Sequence, residues 1–338
     1  MPGRRAPRLP RAVLFAASAL LAAAALGCAD MFQQQPAAGP AAASGPRTAA
    51  DDSDLWNLAP ASSDVLAEVD LAALRASPWS SSLTASGLSG QREEGRRLYG
   101  YDIFAEGERL LAVMSEAGGT PRSMTIVRGT FEPSRIGAAF VASTPGAAEG
   151  RWRDSPLWEG GGRAVALVTP RTLVQGEPGA VRGAIDAAWG MVPDARTTPL
   201  GAVRRSLDAD HPGPVAFVAL NVTDGMRARA AGFVDLPPGL AITAARLDLG
   251  DDLNLDALGV MDTVPSAAAA AAAGTVVIRN YAGNPMVRLL GLGPVLDTVV
   301  LGVDGTRVRG HLRIPAERRE GLAEKILAVL QMVAAAHQ

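Results

Sequence analysis

Side chains able to do chemistry are few and scattered in this chain of 338 residues. Its three histidines, His211, His311 and His337, share no spacing that would let two of them grip one metal ion. Each reads as a surface residue: His211 precedes Pro212 in a linker, His311 lies on the outgoing strand of a hairpin, and His337 sits at a fraying helix end. Serine-hydrolase chemistry calls for Gly-x-Ser-x-Gly on a strand, a turn and a helix. The nearest match, Gly87-Leu88-Ser89-Gly90, lacks the second glycine at its place and follows no β-type run. Lys325 is the only lysine and has Leu322 three residues before it, so a Ser-x-x-Lys pair is absent. The glycine clusters Gly160-Gly161-Gly162 and Gly291-Leu292-Gly293 read as turns before strands and lack the context of a phosphate cradle. Asp248, Asp251, Asp252, Asn254 and Asp256 are not spaced as a calcium loop, and the last three alternate with Leu253 and Leu255 as the wet side of a strand would. Nothing marks a pair of carboxylates for glycoside hydrolysis. These residues predict no catalytic centre, no metal and no cofactor.

One residue has an informative position. Cys28 is the sole cysteine, so the body can hold no disulfide, thiolate nucleophile or thiolate metal site. Before it, Arg4, Arg5, Arg8 and Arg11 stand without any acid, and an apolar stretch runs from Ala12 to Gly27. A charged segment, an apolar segment and a small residue at the end form the order of an export signal. The apolar stretch has sixteen residues, short of the roughly 20 that a helix needs to span a hydrocarbon core, so a cleaved signal is expected over residues 1–27. The run Ala25-Leu26-Gly27-Cys28 resembles the lipobox of bacterial lipoprotein precursors, although Leu26 lies one place later than in the commonest form. The resemblance implies diacylglyceryl transfer to the Cys28 sulfur, cleavage before it and acylation of the new N-terminus. Each buried CH₂ contributes about 0.8 kcal/mol, so two or three chains hold a protein on a membrane where one would not. The resemblance further implies a periplasm-facing place in the cell envelope. Because Ala29 rather than Asp30 follows the cysteine, the outer membrane is expected over the inner.

Residues 28–54 are rich in Pro, Ala, Gly, Gln and Ser without apolar periodicity, which predicts a disordered lipidated tether. Such a coil would span roughly 28 Å. Over the whole chain, 48% hydrophobic and 20% charged residues suit a folded protein with a sizeable core, and a net charge of −2 disfavours a nucleic-acid partner.

The body is expected to be α+β, with a first unit over residues 55–205 and a second, similar unit over 206–338. Val165–Gly176 aligns on Val299–Gly310 without gaps, with Val165/Val299, Leu167/Leu301, Thr172/Thr306, Val174/Val308 and Gly176/Gly310 identical. Paired strands are predicted at Arg109–Ser115 with Ser123–Phe131 and at Ala241–Leu249 with Leu253–Met261. Opening strands fall at Val65–Val69, before an Asp70 helix cap and a stop at Pro78, and at Val215–Leu220. Asp304-Gly305 predicts a type I′ turn, and Ala316–Ala335 an amphipathic closing helix with an apolar stripe from Leu322 to Val333. Each unit should be a mostly antiparallel sheet with helices packed on one face. The stretch from Asp64 to Trp79 resembles the opening of uncharacterised predicted lipoproteins of high-GC Gram-negative bacteria, and the resemblance brings no activity with it.

Together these features predict a membrane-anchored envelope lipoprotein that is not an enzyme and binds an envelope protein or an apolar ligand. A carrier of lipids or lipoproteins, and a hydrolase with a dispersed site, are the alternatives.

Overall fold

The computed structural model describes residues 49–80, 89–117, 120–209, 213–230, 236–289 and 291–318. Strand β1 (Val65–Asp70) leads into helix α1 (Leu71–Ala76), and Asp70 caps that helix by accepting from the Ala73 amide at 2.7 Å. Helices α2 (Ser89–Tyr99) and α3 (Ile103–Glu106) fill the interval before the hairpin of β2 (Gly107–Ala117) and β3 (Thr120–Gly129). Then come α4 (Pro133–Ser143), β4 (Ala148–Trp152), β5 (Ser155–Gly160), β6 (Arg163–Thr169), β7 (Thr172–Gly176), α5 (Pro178–Ala188) and α6 (Pro199–Asp208). The second half holds β8 (Ala216–Asn221), α7 (Asp224–Ala230), β9 (Leu240–Leu249), β10 (Leu253–Met261), α8 (Val264–Gly283), α9 (Pro285–Leu289), α10 (Gly293–Leu296), β11 (Val300–Asp304) and β12 (Arg307–Ile314). Helices α4, α5 and α6 all begin on a proline, whose missing N–H costs nothing at a first turn and whose fixed φ suits it.

All twelve strands join one antiparallel sheet in the order β11-β12-β10-β9-β8-β1-β2-β3-β7-β6-β5-β4. The two halves meet where β1 pairs with β8, Val65 opposite Leu220 and Val69 opposite Ala216. Outward from that junction, β1-β2-β3-β7-β6 on one side and β8-β9-β10-β12-β11 on the other follow the same connections. The β4–β5 hairpin, which the sequence pattern does not reveal, extends the first half only.

The aligned stretches behave differently at their two ends. Both lie on hairpins, but β6–β7 closes across Thr169 and Thr172, whereas β11–β12 closes across Asp304 and Arg307, one residue later than the gapless match requires. A one-residue slip turns a side chain to the other face. Accordingly Val174 packs with α5, while Val308 packs near Ala267 of α8 on the opposite side. The turn residues are Gly305 and Thr306, and of these only Gly305 has positive φ (56°), which is the glycine-first pattern of a type II′ turn and not the type I′ predicted.

Helices cover both faces of the sheet, which corrects the one-face expectation. One face carries α5, α6 and the 3₁₀ turn Leu55–Asn57, with Trp56 against Phe217 edge-on at 5.8 Å. The other carries α1 to α4, where Tyr99, Tyr101, Phe131 and Phe140 cluster, and α8 to α10. Alternation within β6 explains the need for two covers: Ala164, Ala166 and Val168 face one way and Val165 and Leu167 the other, all buried. Small residues bring the layers close, and a Cβ on Gly137 of α4 would stand 2.7 Å from the Trp158 indole.

Part of the expected tether belongs to the body. The Asp51 amide donates to Ala188 O at 3.1 Å, and Asp52 accepts from the Thr169 and Thr172 hydroxyls at 2.6 Å each. Burial pushes the Asp52 carboxyl up, but these hydrogen bonds and the Arg128 charge outweigh it and hold the carboxyl below its ordinary value. A depressed carboxylate stabilises the fold above its unfolded value and loses that contribution as pH falls below it. Asp52→Ala should therefore lower stability by about 1–3 kcal/mol near neutrality. In urea titrations the gap from the native chain should narrow at about pH 3; a gap independent of pH would refute this role.

Candidate functional site

A connected set of polar side chains spans the face covered by α6. It begins at Asp54, which caps the 3₁₀ turn by accepting from the Trp56 amide at 3.1 Å. The Trp56 indole then reaches Glu68 on β1, Nε1 donating to Oε2 at 2.9 Å. Arg204, on α6, lies between them. Its guanidinium stands 4.8 Å over the Trp56 ring, donates to Asp54 at 2.8 and 2.9 Å, and pairs with Glu68 at 3.1 Å and Asp208 at 3.6 Å. Arg109 of β2 approaches the other Glu68 oxygen at 3.8 Å.

Glu68 sits there because the alternation of β1 leaves Leu66 and Glu68 on the α6 side. Burial pushes its carboxyl above the ordinary range, and the Arg204 charge opposes that shift without cancelling it. A raised carboxyl in an enclosed site is what a general acid needs. Here both oxygens are already engaged, Oε2 by Trp56 and Arg204 and Oε1 by Arg109, and among the described residues no hydroxyl or thiol is hydrogen-bonded to them. What this arrangement does is brace the fold: Arg204 ties α6, the last helix before the second half, to the first strand and to the entry of the body.

The seam continues across the second half. Arg246 of β9 is only 1% exposed, donating to Leu207 O at the end of α6 and to Asp248 at 2.8 Å each, with Asp256 at 3.8 Å. Asp256 also meets His311 Nδ1 at 2.7 Å, and Asp252 accepts from Arg313 Nε at 2.6 Å and from the Ala316 amide at 3.0 Å. The acidic residues read as a strand's wet side are thus spent on arginines and a histidine, while Leu253 and Leu255 turn to apolar clusters on the other face. Among the described residues no group of three His, Cys, Asp or Glu side chains is arranged to hold a metal ion.

Cys28 and the processing residues Ala25, Leu26 and Gly27 lie outside the described residues, as do His211, His337 and most of the predicted closing helix. Ser89 opens α2, and Gly161 and Gly162 form the β5–β6 turn with φ of 55° and 75°. Gly293, expected in a turn before a strand, instead starts the four-residue helix α10. Sequence reasoning did not single out Glu68 or Arg204. The available signal was a lone acid within the apolar run Val65-Leu66-Ala67-Glu68-Val69, which a buried strand carries only with a partner.

This arrangement defines the class: an α+β protein built on one broad antiparallel sheet with helices on both faces. No family model matches the chain, and no curated protein matches it. It is similar to the solved structure of crystal form III of TP0453, with a TM-score of 0.49 and 12% identity, covering 81% of this chain and 97% of that one. It is also similar to crystal form I of TP0453, with a TM-score of 0.47, 12% identity and coverage of 81% and 96%. The likeness concerns the course of the chain and assigns no activity. Among the described residues no helix is long and apolar enough to cross a membrane.

Proposed function

We propose that this protein is a lipid-anchored component of the cell envelope that acts by binding and not by catalysis. The observation that carries the reading is the chain's only cysteine standing directly after an arginine-led apolar run and a small residue, Ala25-Leu26-Gly27-Cys28. Lipid on that sulfur supplies membrane attachment, so the folded body needs no spanning segment of its own. The polar seam fits the second half of the reading, because its carboxylates are paired to build the fold. The body faces the periplasm, on the outer membrane in preference to the inner, and binds another envelope component.

The matching connection order of the two halves supports an origin as two copies of one α+β unit. Their joining through β1 and β8 makes them one sheet in the present molecule.

Cys28→Ala should abolish incorporation of radiolabelled palmitate and move the protein from the membrane to the soluble fraction. Unchanged labelling and partitioning would sink the proposal. One feature favours a second reading, an apolar-ligand carrier: Ala67, Ala112, Val218, Ala245, Leu255 and Ala257 form a band of mostly small side chains across five strands, on the face opposite α6. Mass spectrometry of the purified protein would then find a co-purifying lipid, and a preparation free of lipid would dismiss that reading.

A further inference from the structure

The two ends of the sheet are unlike. At one end β4 places Glu149 and Arg151 in the open, and charges on an edge strand are how proteins prevent further strands from adding. At the other end β11 reads Val300-Leu301-Gly302-Val303-Asp304, with no charge before its last residue, no proline and an unbroken register on β12. Val300 is 65% exposed and Val303 45%, and among the described residues the large exposed hydrophobic side chains are these two, Val264, Val276 and Val141. Val264 and Val276 belong to α8, which lies across β11 and β12 with Gly274 so near Leu301 that a Cβ would stand 2.9 Å from its methyl. Val300 and Val303 therefore leave the β11 edge apolar, with no charged side chain ahead of Asp304 to guard it among the described residues.

The backbone phase shows what could cover it. A two-residue loop closes on a hydrogen-bonded pair, here Asp304 and Arg307, so Asp304, Gly302 and Val300 turn their N–H and C=O groups to β12. Leu301 and Val303 turn theirs outward. These two positions are symmetric about Gly302, whose missing side chain faces open space. An antiparallel twofold through Gly302 would set Leu301 opposite the partner's Val303 and Val303 opposite the partner's Leu301. Both outward hydrogen-bonded pairs, four hydrogen bonds in all, would then be made, with apolar side chains in register on the α8 face.

We propose that β11 is a dimerisation edge, where a second copy of this chain adds antiparallel and carries the sheet across a twofold axis at Gly302. The strand is its own complement, which argues for a second copy over an unrelated peptide. The charged β4 edge prevents growth at the far end, so the assembly closes as a dimer instead of extending as a fibre. This inference does not depend on the lipid anchor.

The twofold gives a direct test. Across a non-hydrogen-bonded pair the two Cα atoms at position 302 would lie roughly 4.5 Å apart, within the roughly 4.4–6.8 Å a disulfide bridges. In the full chain, Gly302→Cys should give a disulfide-linked dimer under mild oxidation at least about tenfold faster than Gly150→Cys on β4, since pairing inside a formed dimer is effectively intramolecular. The native chain, with only Cys28, corrects for linkage through that residue. Adding Val303→Pro removes an outward N–H without touching the β12 ladder and should abolish the linkage while the circular dichroism spectrum is kept. A monomeric native chain in sedimentation, linkage at position 302 no faster than at 150, or mixed disulfides with a different protein would each overturn the proposal.

Discussion

Replacing Arg204 with alanine should cost about 3–5 kcal/mol, because it strips the main counter-charge from a buried carboxylate and leaves that charge uncompensated. Glu68 then holds only the Trp56 indole and a distant Arg109. The contrast lies in Glu68→Gln: Arg204 keeps Asp54 and Asp208, and an amide oxygen can still accept from Trp56, so the loss should be much smaller. The double variant should recover much of what Arg204→Ala loses. Burial raises the Glu68 carboxyl above its ordinary 4.5, so the folded chain binds that proton more tightly than the unfolded one. Its contribution to stability therefore declines as pH rises from about the unfolded value to the folded one. The defect of Arg204→Ala should follow the same sign and be smaller at about pH 5 than at pH 7. Urea midpoints for the three variants at both pH values measure this. An Arg204→Ala chain within about 1 kcal/mol of the native one would remove the seam from any structural role.

Trp56→Ala should be of similar size, about 3–5 kcal/mol, since a fully buried indole leaves a cavity that its surroundings cannot fill. Phe217 would lose its edge-on partner and Arg204 the ring beneath it. Trp56→Phe separates two contributions. It keeps an aromatic ring against Phe217 but deletes the indole donor to Glu68, so a loss of about 1–3 kcal/mol is expected from one missing hydrogen bond to a buried carboxylate that still holds Arg204. If the phenylalanine variant unfolds as early as the alanine variant, the hydrogen bond and not the packing holds this corner. If neither moves the thermal midpoint, the 3₁₀ turn at Leu55–Asn57 is peripheral to stability and this account of the seam is wrong.

Local signals were the legible ones. The β-type run Val65–Val69 with the Asp70 cap and the hairpin at Ala241–Met261 could be located because alternation and capping act between near neighbours. The β11–β12 hairpin falls where the Asp304-Gly305 turn predicts it, yet the gapless alignment of Val165–Gly176 on Val299–Gly310 hides a one-residue slip, since composition in Val, Leu and Gly is nearly blind to register. Two features were beyond local reach. The pairing of β1 with β8 rests on backbone hydrogen bonds that no side chain announces. The link of Glu68 to Arg204 brings together residues that are far apart in the chain and share no motif. Helices on both faces follow from β6 being apolar on both sides, a pattern that the continuous run Ala164–Val168 displays and that a sheet covered on one face does not need.

That the opening strand lies in the middle of the sheet carries a cost during biogenesis. A ribosome delivers β1 early and β2 soon after, but β8, which must close the other flank, emerges only when some two thirds of the polypeptide exists. Until then the nascent protein displays a bare strand flank with an apolar surface, the kind of intermediate that aggregates unless it is shielded. Productive maturation should accordingly depend on a holding factor, or on keeping the chain unfolded until its second half has arrived.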